Sequence, residues 1–198
     1  MRMCGRYFID EETAQEIEEI IKEVDARLKT NFARRDVYPS NTAAVLVPNQ
    51  DKLSLDWQNW GFPGFEGKKL IINARAETAM DRRMFRDNVR NRRCVIPARG
   101  FYEWDKEKNK VSFERTDEKS LFMAGCYQRF GEESRFVILT TAANPSVSPV
   151  HGRMPLILER EAVTDWLFNE ERTEEYLHRE PCLLKRRMDY YQESLFDL

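Results

Sequence analysis

The chain has 198 residues, 32 Lys and Arg against 34 Asp and Glu, a net charge of −2, 41% apolar and 12% aromatic residues, and only 8 Gly and 8 Pro. That length and composition predict one globular domain with an aromatic-rich core, and exclude a disordered chain or a polybasic one whose whole surface binds nucleic acid. No apolar run approaches the ~20 residues that span a bilayer, and the N-terminus lacks an apolar signal-type stretch, so a cytoplasmic protein is expected. Four cysteines, Cys4, Cys94, Cys126 and Cys182, form no CxxC pair and have only His151 and His178 beside them, which argues against structural zinc. Isolated Cys94, Cys126 and Cys182 read as small buried apolar residues.

In chain order, Asp10 is a candidate N-cap for a helix with Ala14, Ile17, Ile20, Ile21, Val24 and Leu28 on one face. Strands follow at Ala43–Val47 and Leu53–Trp60, bounded by Pro48 and by Gly61, Pro63, Gly64 and Gly67. A second helix is predicted from Thr78, with Asp81 as capping partner and Met80, Met84 and Val89 on one face. Short strands recur at Cys94–Ile96, Phe101–Trp104, Val111–Glu114, Leu121–Tyr127, Arg135–Thr141 and Pro155–Leu158. A third helix carrying Val163, Trp166 and Leu167 precedes an acidic stretch. The expected fold is α+β: a mixed, mainly antiparallel sheet curled toward an open barrel, with peripheral helices.

Arg82 to Arg99 holds seven arginines and one acid, Asp87. The run reads either as a solvated helix face or as a phosphate-binding patch. Glu103 alternates with aromatics on its strand and is either an exposed strand residue or a carboxylate in an apolar site with a raised pKa. His151 reads as a structural, hydrogen-bonded histidine or as an acid–base group.

Four segments stand out together: Cys4-Gly5-Arg6, Asn73-Ala74-Arg75-Ala76-Glu77-Thr78, Gly100-Phe101-Tyr102-Glu103-Trp104 and His151-Gly152-Arg153-Met154-Pro155. With Trp60-Gly61, Cys94-Val95-Ile96-Pro97 and Thr140-Thr141 between them, this order resembles the SRAP family of abasic-site-processing proteins, associated with the bacterial SOS response. The resemblance covers about three-quarters of the chain. It implies covalent capture of abasic sites in single-stranded DNA by an N-terminal cysteine as a thiazolidine, with self-processing that exposes that cysteine.

The chemistry suits the residues. A free α-amino group with a pKa near 7.7–8.0 is ~10% neutral at pH 7, whereas a lysine amine is below ~0.1%, so the terminus attacks an aldehyde first. A thiol on the same residue then closes a five-membered ring. By resemblance, Cys4 is the nucleophile, Asn73 orients amine and sugar, and Glu103 and His151 move protons. Arg6, Arg75 and Thr141 contact phosphates, with Arg153 in support, and Trp60 and Phe65 belong to the DNA-contacting set. No metal or cofactor is implied, and a monomer near the nucleoid is expected.

The sequence departs from the family pattern in three places. Met1-Arg2-Met3 precedes Cys4, so removal of one residue does not free it. Only Phe65, followed by Glu66, stands where a pair of large aromatics is usual. Asp36 replaces an Asn before the Pro39 turn. Two other readings remain: a non-covalent single-stranded DNA or junction binding module, and a cysteine peptidase using Cys4 and His151. Residues 189–198 form a separate tail, in which Gln192, Leu195 and Phe196 resemble the short peptides that dock on the bacterial sliding clamp. The alternative is that these apolar residues fold back on the core.

Overall fold

The computed structural model describes residues 5–21, 35–64, 66 and 69–188. Cys4, Val24, Leu28, Phe65 and the tail with Gln192, Leu195 and Phe196 lie outside the described residues.

The strands are β1 (Tyr7–Ile9), β2 (Arg35–Val37), β3 (Thr42–Asn49), β4 (Lys52–Trp60), β5 (Phe62–Pro63), β6 (Leu70–Ile71), β7 (Asn73–Arg75), β8 (Arg93–Ala98), β9 (Gly100–Trp104), β10 (Lys110–Arg115), β11 (Leu121–Phe130), β12 (Glu133–Ala142), β13 (Arg153–Pro155), β14 (Ile157–Leu158) and β15 (Leu184–Met188). The helices are α1 (Glu11–Ile21), α2 (Ala76–Ala79), α3 (Arg83–Asn91), α4 (Ala162–Phe168) and α5 (Thr173–Leu177). The foreseen strands are present, except that Pro155–Leu158 is divided at Leu156: Pro155 ends β13, paired with β12, and Ile157–Leu158 form β14, paired with β11. The sheet is mixed and mainly antiparallel, as expected, with β4 and β7 both parallel to β12. Pairing runs β12-β4-β3-β8-β11 and returns from β11 to β12, so the curled sheet closes on itself. A second sheet, β15-β10-β9-β1-β2, lies against it.

Period-two alternation divides the barrel strands between two cores. Val45, Cys94, Ile96, Met123, Phe136 and Ile138 pack with Tyr7, Phe101, Val111 and Phe113 of the second sheet. Their strand neighbours Leu46, Val95, Phe122, Ala124, Val137 and Leu139 pack with Ile17, Val89, Val163, Trp166 and Tyr176 of the helices. One side of the barrel is therefore β-covered and the other helix-covered. Where β11 crosses between β8 and β12 the residue is Gly125; a Cβ there would meet Ile96 Cδ1 at 2.5 Å and Val137 O at 2.7 Å.

Asp10 caps α1 as foreseen, accepting from the Thr13 amide at 3.1 Å and the Thr13 hydroxyl at 2.9 Å. The single helix expected from Thr78 is instead two. Thr78 lies inside α2, where its carbonyl accepts the Met80 and Asp81 amides and closes the turn. Arg82 is extended, and the chain restarts as α3. Met84 is 44% exposed, and Phe85 takes the packing role assigned to it. The acidic stretch after α4 forms α5, with Glu174 and Glu175 in its first turn. Strands β2 and β15 lack alternation because they are edges carrying charge; four of the five residues of β15 are exposed.

Candidate active site

The site grows from the start of β1. Tyr7 pairs with Phe101 and the Tyr102 amide donates to Arg6 O at 3.0 Å. Continuing that antiparallel register sets Gly5, the residue after Cys4, opposite Glu103. Glu103 is 1% exposed, which resolves its two readings in favour of burial. Gly5 also lies against Ile72, whose Cδ1 is the nearest atom a Cβ at position 5 would meet, at 4.0 Å. Ile72 precedes Asn73, so Asn73 and Glu103 approach the start of β1 from two different sheets.

Trp60 holds this junction from beneath. Its indole N–H donates to Ile72 O at 2.9 Å, and its ring packs between Tyr7 and Phe136, with centroids 5.3 and 6.3 Å away. At 0% exposure it has no face to offer a base, which corrects its assignment to the DNA-contacting surface. The next residue, Gly61, has φ 110°, a conformation L side chains rarely adopt, and donates to Phe136 O at 2.8 Å. The Trp60-Gly61 pair is thus a structural hinge between β4 and the β5–β6 hairpin that leads to Asn73.

Arg6 lies among aromatic rings. Its guanidinium carbon is 4.5 Å from the Tyr38 ring centroid, 5.4 Å from Trp104 and 5.9 Å from Tyr102. Asp36 Oδ2 accepts from Arg6 Nη1 at 3.5 Å and from the Tyr38 hydroxyl at 3.4 Å. Asp36, which the sequence alone left without a role, is therefore the counter-charge of Arg6. Tyr38 is placed by the Pro39 turn: Ser40 adopts φ 71°, and Asn41 Oδ1 accepts the Tyr38 amide at 3.0 Å.

His151 sits just before β13. The Arg153 amide donates to His151 Nδ1 at 3.1 Å, so the neutral ring carries its proton on Nε2. Arg153 O lies 3.2 Å from the same nitrogen, so the Arg153 backbone fixes the position of the ring. The Arg153 side chain is fixed by Glu77, at 2.5 Å to Oε1 and 2.8 Å to Oε2, and by Thr140 O at 2.6 Å. Those hydrogen bonds, chiefly, hold the Glu77 carboxyl below the usual carboxylate range against the opposing effect of burial.

Strand β12 gathers the remaining residues. Its Thr140 is level with Arg75 of β7, Thr141 with Met154 and Ala142 with Arg153. Arg75 is exposed, with no side-chain partner among the described residues, and Thr141 is 9% exposed. Arg75, Thr141, His151 and Arg153 therefore lie around the end of β12, with Asn73 level with Ile138 further back along the same strand. Residues that sequence reasoning missed are Asp36, Tyr38, Trp104 and Glu77. Asp36 carries a signal as an acid at an unexpected position, and Glu77 and Trp104 lie within the singled-out segments without an assigned role.

Other groups drop out of the chemistry. Burial pushes the Cys126 thiol up to about 12 and raises Cys94 well above its ordinary value, which keeps both as inert thiols. Among the described residues no group of three or more His, Cys, Asp or Glu could hold a metal ion, and no helix is long and apolar enough to cross a membrane.

Residues 3–192 match the SOS response associated peptidase (SRAP) family. The chain is 31% identical over 179 residues to YedK of Escherichia coli, named an abasic site processing protein, covering 85% of this chain and 81% of that one. It is 30% identical over 198 residues to YoaM of Bacillus subtilis, similarly named, covering 88% and 83%. A solved protein of Bordetella bronchiseptica superposes with a TM-score of 0.76 at 25% identity, covering 94% of this chain and all of that one. One of Bacteroides thetaiotaomicron gives 0.82 at 20% identity, covering 95% and 93%, and attests the fold.

Proposed function

Because the chain belongs to the SRAP family, we propose that it processes abasic sites in single-stranded DNA, capturing them on a Cys4 freed at the N-terminus. The observation that carries this reading is the approach of buried Glu103 and of Asn73 to Gly5, the residue that follows Cys4. In the reaction, the neutral α-amine adds to the aldehyde carbon of the ring-opened sugar. The carbinolamine loses its oxygen as water: an acid protonates the hydroxyl, a base takes the N–H proton, and an imine remains. The thiolate then adds to the imine carbon, nitrogen takes a proton, and a thiazolidine results.

Glu103 and His151 are the groups proposed to move these protons, and Asn73 to orient the amine. Arg6, Arg75 and Thr141 are proposed to contact the flanking phosphates, while Arg153, engaged by Glu77, keeps His151 in place. Capture requires that whatever precedes Cys4 be removed, by the protein itself or by an aminopeptidase: Met1-Arg2-Met3, or Met3 alone where translation starts there. The peptide around Gln192, Leu195 and Phe196 is proposed to dock on a sliding clamp, which pull-down with the full chain and with a chain lacking residues 192–198 tests.

The decisive experiment incubates the purified protein with abasic and intact oligonucleotides and resolves the products under denaturing conditions. A heat-stable adduct is expected with the abasic strand only, and none with Cys4→Ala. An adduct that persists with Cys4→Ala overturns the mechanism. Absence of any adduct from a protein whose intact mass begins at Cys4 returns the chain to a non-covalent binder.

A further inference from the structure

The arginines between Arg82 and Arg99 separate into two groups. Arg93 donates to backbone carbonyls, Arg99 faces Asp10 and Glu114, and Arg86 Nε donates to Met80 O. The side chains of Arg82 and Arg83 are exposed and have no partner among the described residues. They lead into a groove of about 470 Å³ between α3 and the β5–β6 hairpin. Arg83 and Arg92 stand on its rim, Met84 and Phe130 give it apolar walls, and Asp87 is the one acid among the described residues that line it.

The groove has a built polar floor. Asn88, 2% exposed, donates to Gln128 Oε1 at 2.9 Å and to Met84 O at 2.9 Å, and accepts from Arg92 Nε at 2.7 Å. This holds Gln128 by its oxygen and leaves its amide nitrogen without a partner among the described residues. The two walls are continuous with the candidate site. Phe62 and Pro63 pair with Ile71 and Leu70 just before Asn73, while α2 and α3 follow directly from Arg75.

The other end of α3 is different in charge. Arg90 shares a cleft with Glu170, Glu171 and Glu174, which disfavours an anion there. The basic side chains clear of that acidic cleft are Arg82 and Arg83 at the start of α3, and Arg92 at its C-terminal end on the groove side.

We propose that this groove is a second contact for the same single DNA strand, taking a nucleotide that flanks the captured site. Its phosphate lies between Arg83 and Arg92, and the next phosphate is within the reach of Arg82. Its base packs on Met84 and the edge of Phe130 and accepts from the Gln128 amide. The volume falls in the range of small-molecule sites, large enough for one nucleotide and too small for a duplex. The inference rests on the single-stranded DNA reading and deepens it by assigning where the strand goes.

The test measures fluorescence anisotropy with intact oligonucleotides of ~6 and ~18 nucleotides across a salt series, which removes crosslinking from the readout. The wild-type protein is expected to bind the longer strand more tightly. A chain with Arg82→Glu and Arg83→Glu should lose most of that advantage, binding the longer strand ~10-fold more weakly, with a log–log salt slope smaller by about 1.4 for two phosphates. Arg82→Gln with Arg83→Gln should show the same slope change if the reversed charges disturb folding. Arg90→Glu, at the acidic end, should leave the length advantage and the slope unchanged. Unaltered affinity and slope in the Arg82 and Arg83 variants overturn the groove while leaving abasic-site capture standing. An equal loss from Arg90→Glu overturns it too, because net charge alone then explains the effect. Failure of the wild-type protein to bind either strand overturns both readings.

Discussion

Arg93 and Arg6 present the same guanidinium to two different surroundings. Arg93, on the helix-covered side of the barrel and 5% exposed, donates to Trp166 O and Leu167 O of α4 and to Val89 O and Arg90 O of α3. It satisfies carbonyls at the ends of two helices that would otherwise be buried without donors. Arg6, at the β-built end, stands on aromatic rings beside one carboxylate and, among the described residues, has nitrogen donors to spare. The first arginine belongs to the fold and the second can serve a ligand. What separates them is whether backbone acceptors exhaust the fork, a property that charge counting along the chain does not contain.

The largest expected effect falls on the β-built end. Glu103→Gln should slow adduct formation with abasic DNA by ~10²–10⁴-fold while leaving affinity for intact single strands within a few-fold. Parallel losses in rate and affinity would make Glu103 a structural residue and remove the contrast between the two regions. On the helix-covered side, Arg93→Ala should cost about 3–5 kcal/mol in urea unfolding, because it strands several carbonyls and opens a void. Arg93→Lys should recover only part of that, since an ammonium cannot span both helix ends. A cost below about 1 kcal/mol would mean that water replaces the guanidinium.

The sequence carries the barrel well and its closure poorly. Alternation in Leu121–Tyr127 and Arg135–Thr141 announces β11 and β12, but the return pairing of these strands that closes the ring depends on Gly125 permitting close approach. Strands of two or three residues such as β7 leave no periodicity to read, although β7 brings Asn73 and Arg75 to β12. For the site, the motif residues are legible because their chemistry is unusual for their positions. Trp60 is misread for the same reason: a tryptophan beside a motif suggests a stacking surface, whereas its indole N–H is spent on Ile72 O in the core. Asp36 stands out in the sequence and Glu77 lies within a motif, but their roles are not legible because they exist only through arginines 30 and 76 residues away.

A smaller effect tests how available Arg6 is. Its pair with Asp36 is a single contact at 3.5 Å with both side chains about one-quarter exposed, so it contributes at most about 1 kcal/mol. The rings of Tyr38 and Trp104 keep the guanidinium in place without it. Asp36→Asn should therefore strengthen binding to single-stranded DNA, by about two- to fivefold at low salt, as a phosphate no longer competes with a carboxylate. Weaker binding would show that Asp36 orients Arg6 more than it opposes the ligand.

The smallest effect concerns Glu77, which ties Arg153 at the same end of the sheet. The hydrogen bonds from Arg153 lower the folded-state pKa of Glu77 below its unfolded value near 4.3. A depressed carboxylate contributes stability that is present above the unfolded pKa and lost as pH falls through the folded one. The Glu77 side chain is 35% exposed, so solvent screens the pair and the contribution is at most about 1 kcal/mol. Urea unfolding of the wild-type chain and of Glu77→Gln should differ by that amount near pH 7 and 5, then converge as the pH drops below about 4. Because Arg153 also holds Thr140 O and presents its amide to His151, a difference that stayed constant with pH would locate the role of Glu77 in packing β13 against β7, with charge contributing nothing measurable. Convergence would instead identify an ion pair at the β-built end that is weak enough for a phosphate to displace, the property that Arg93 lacks.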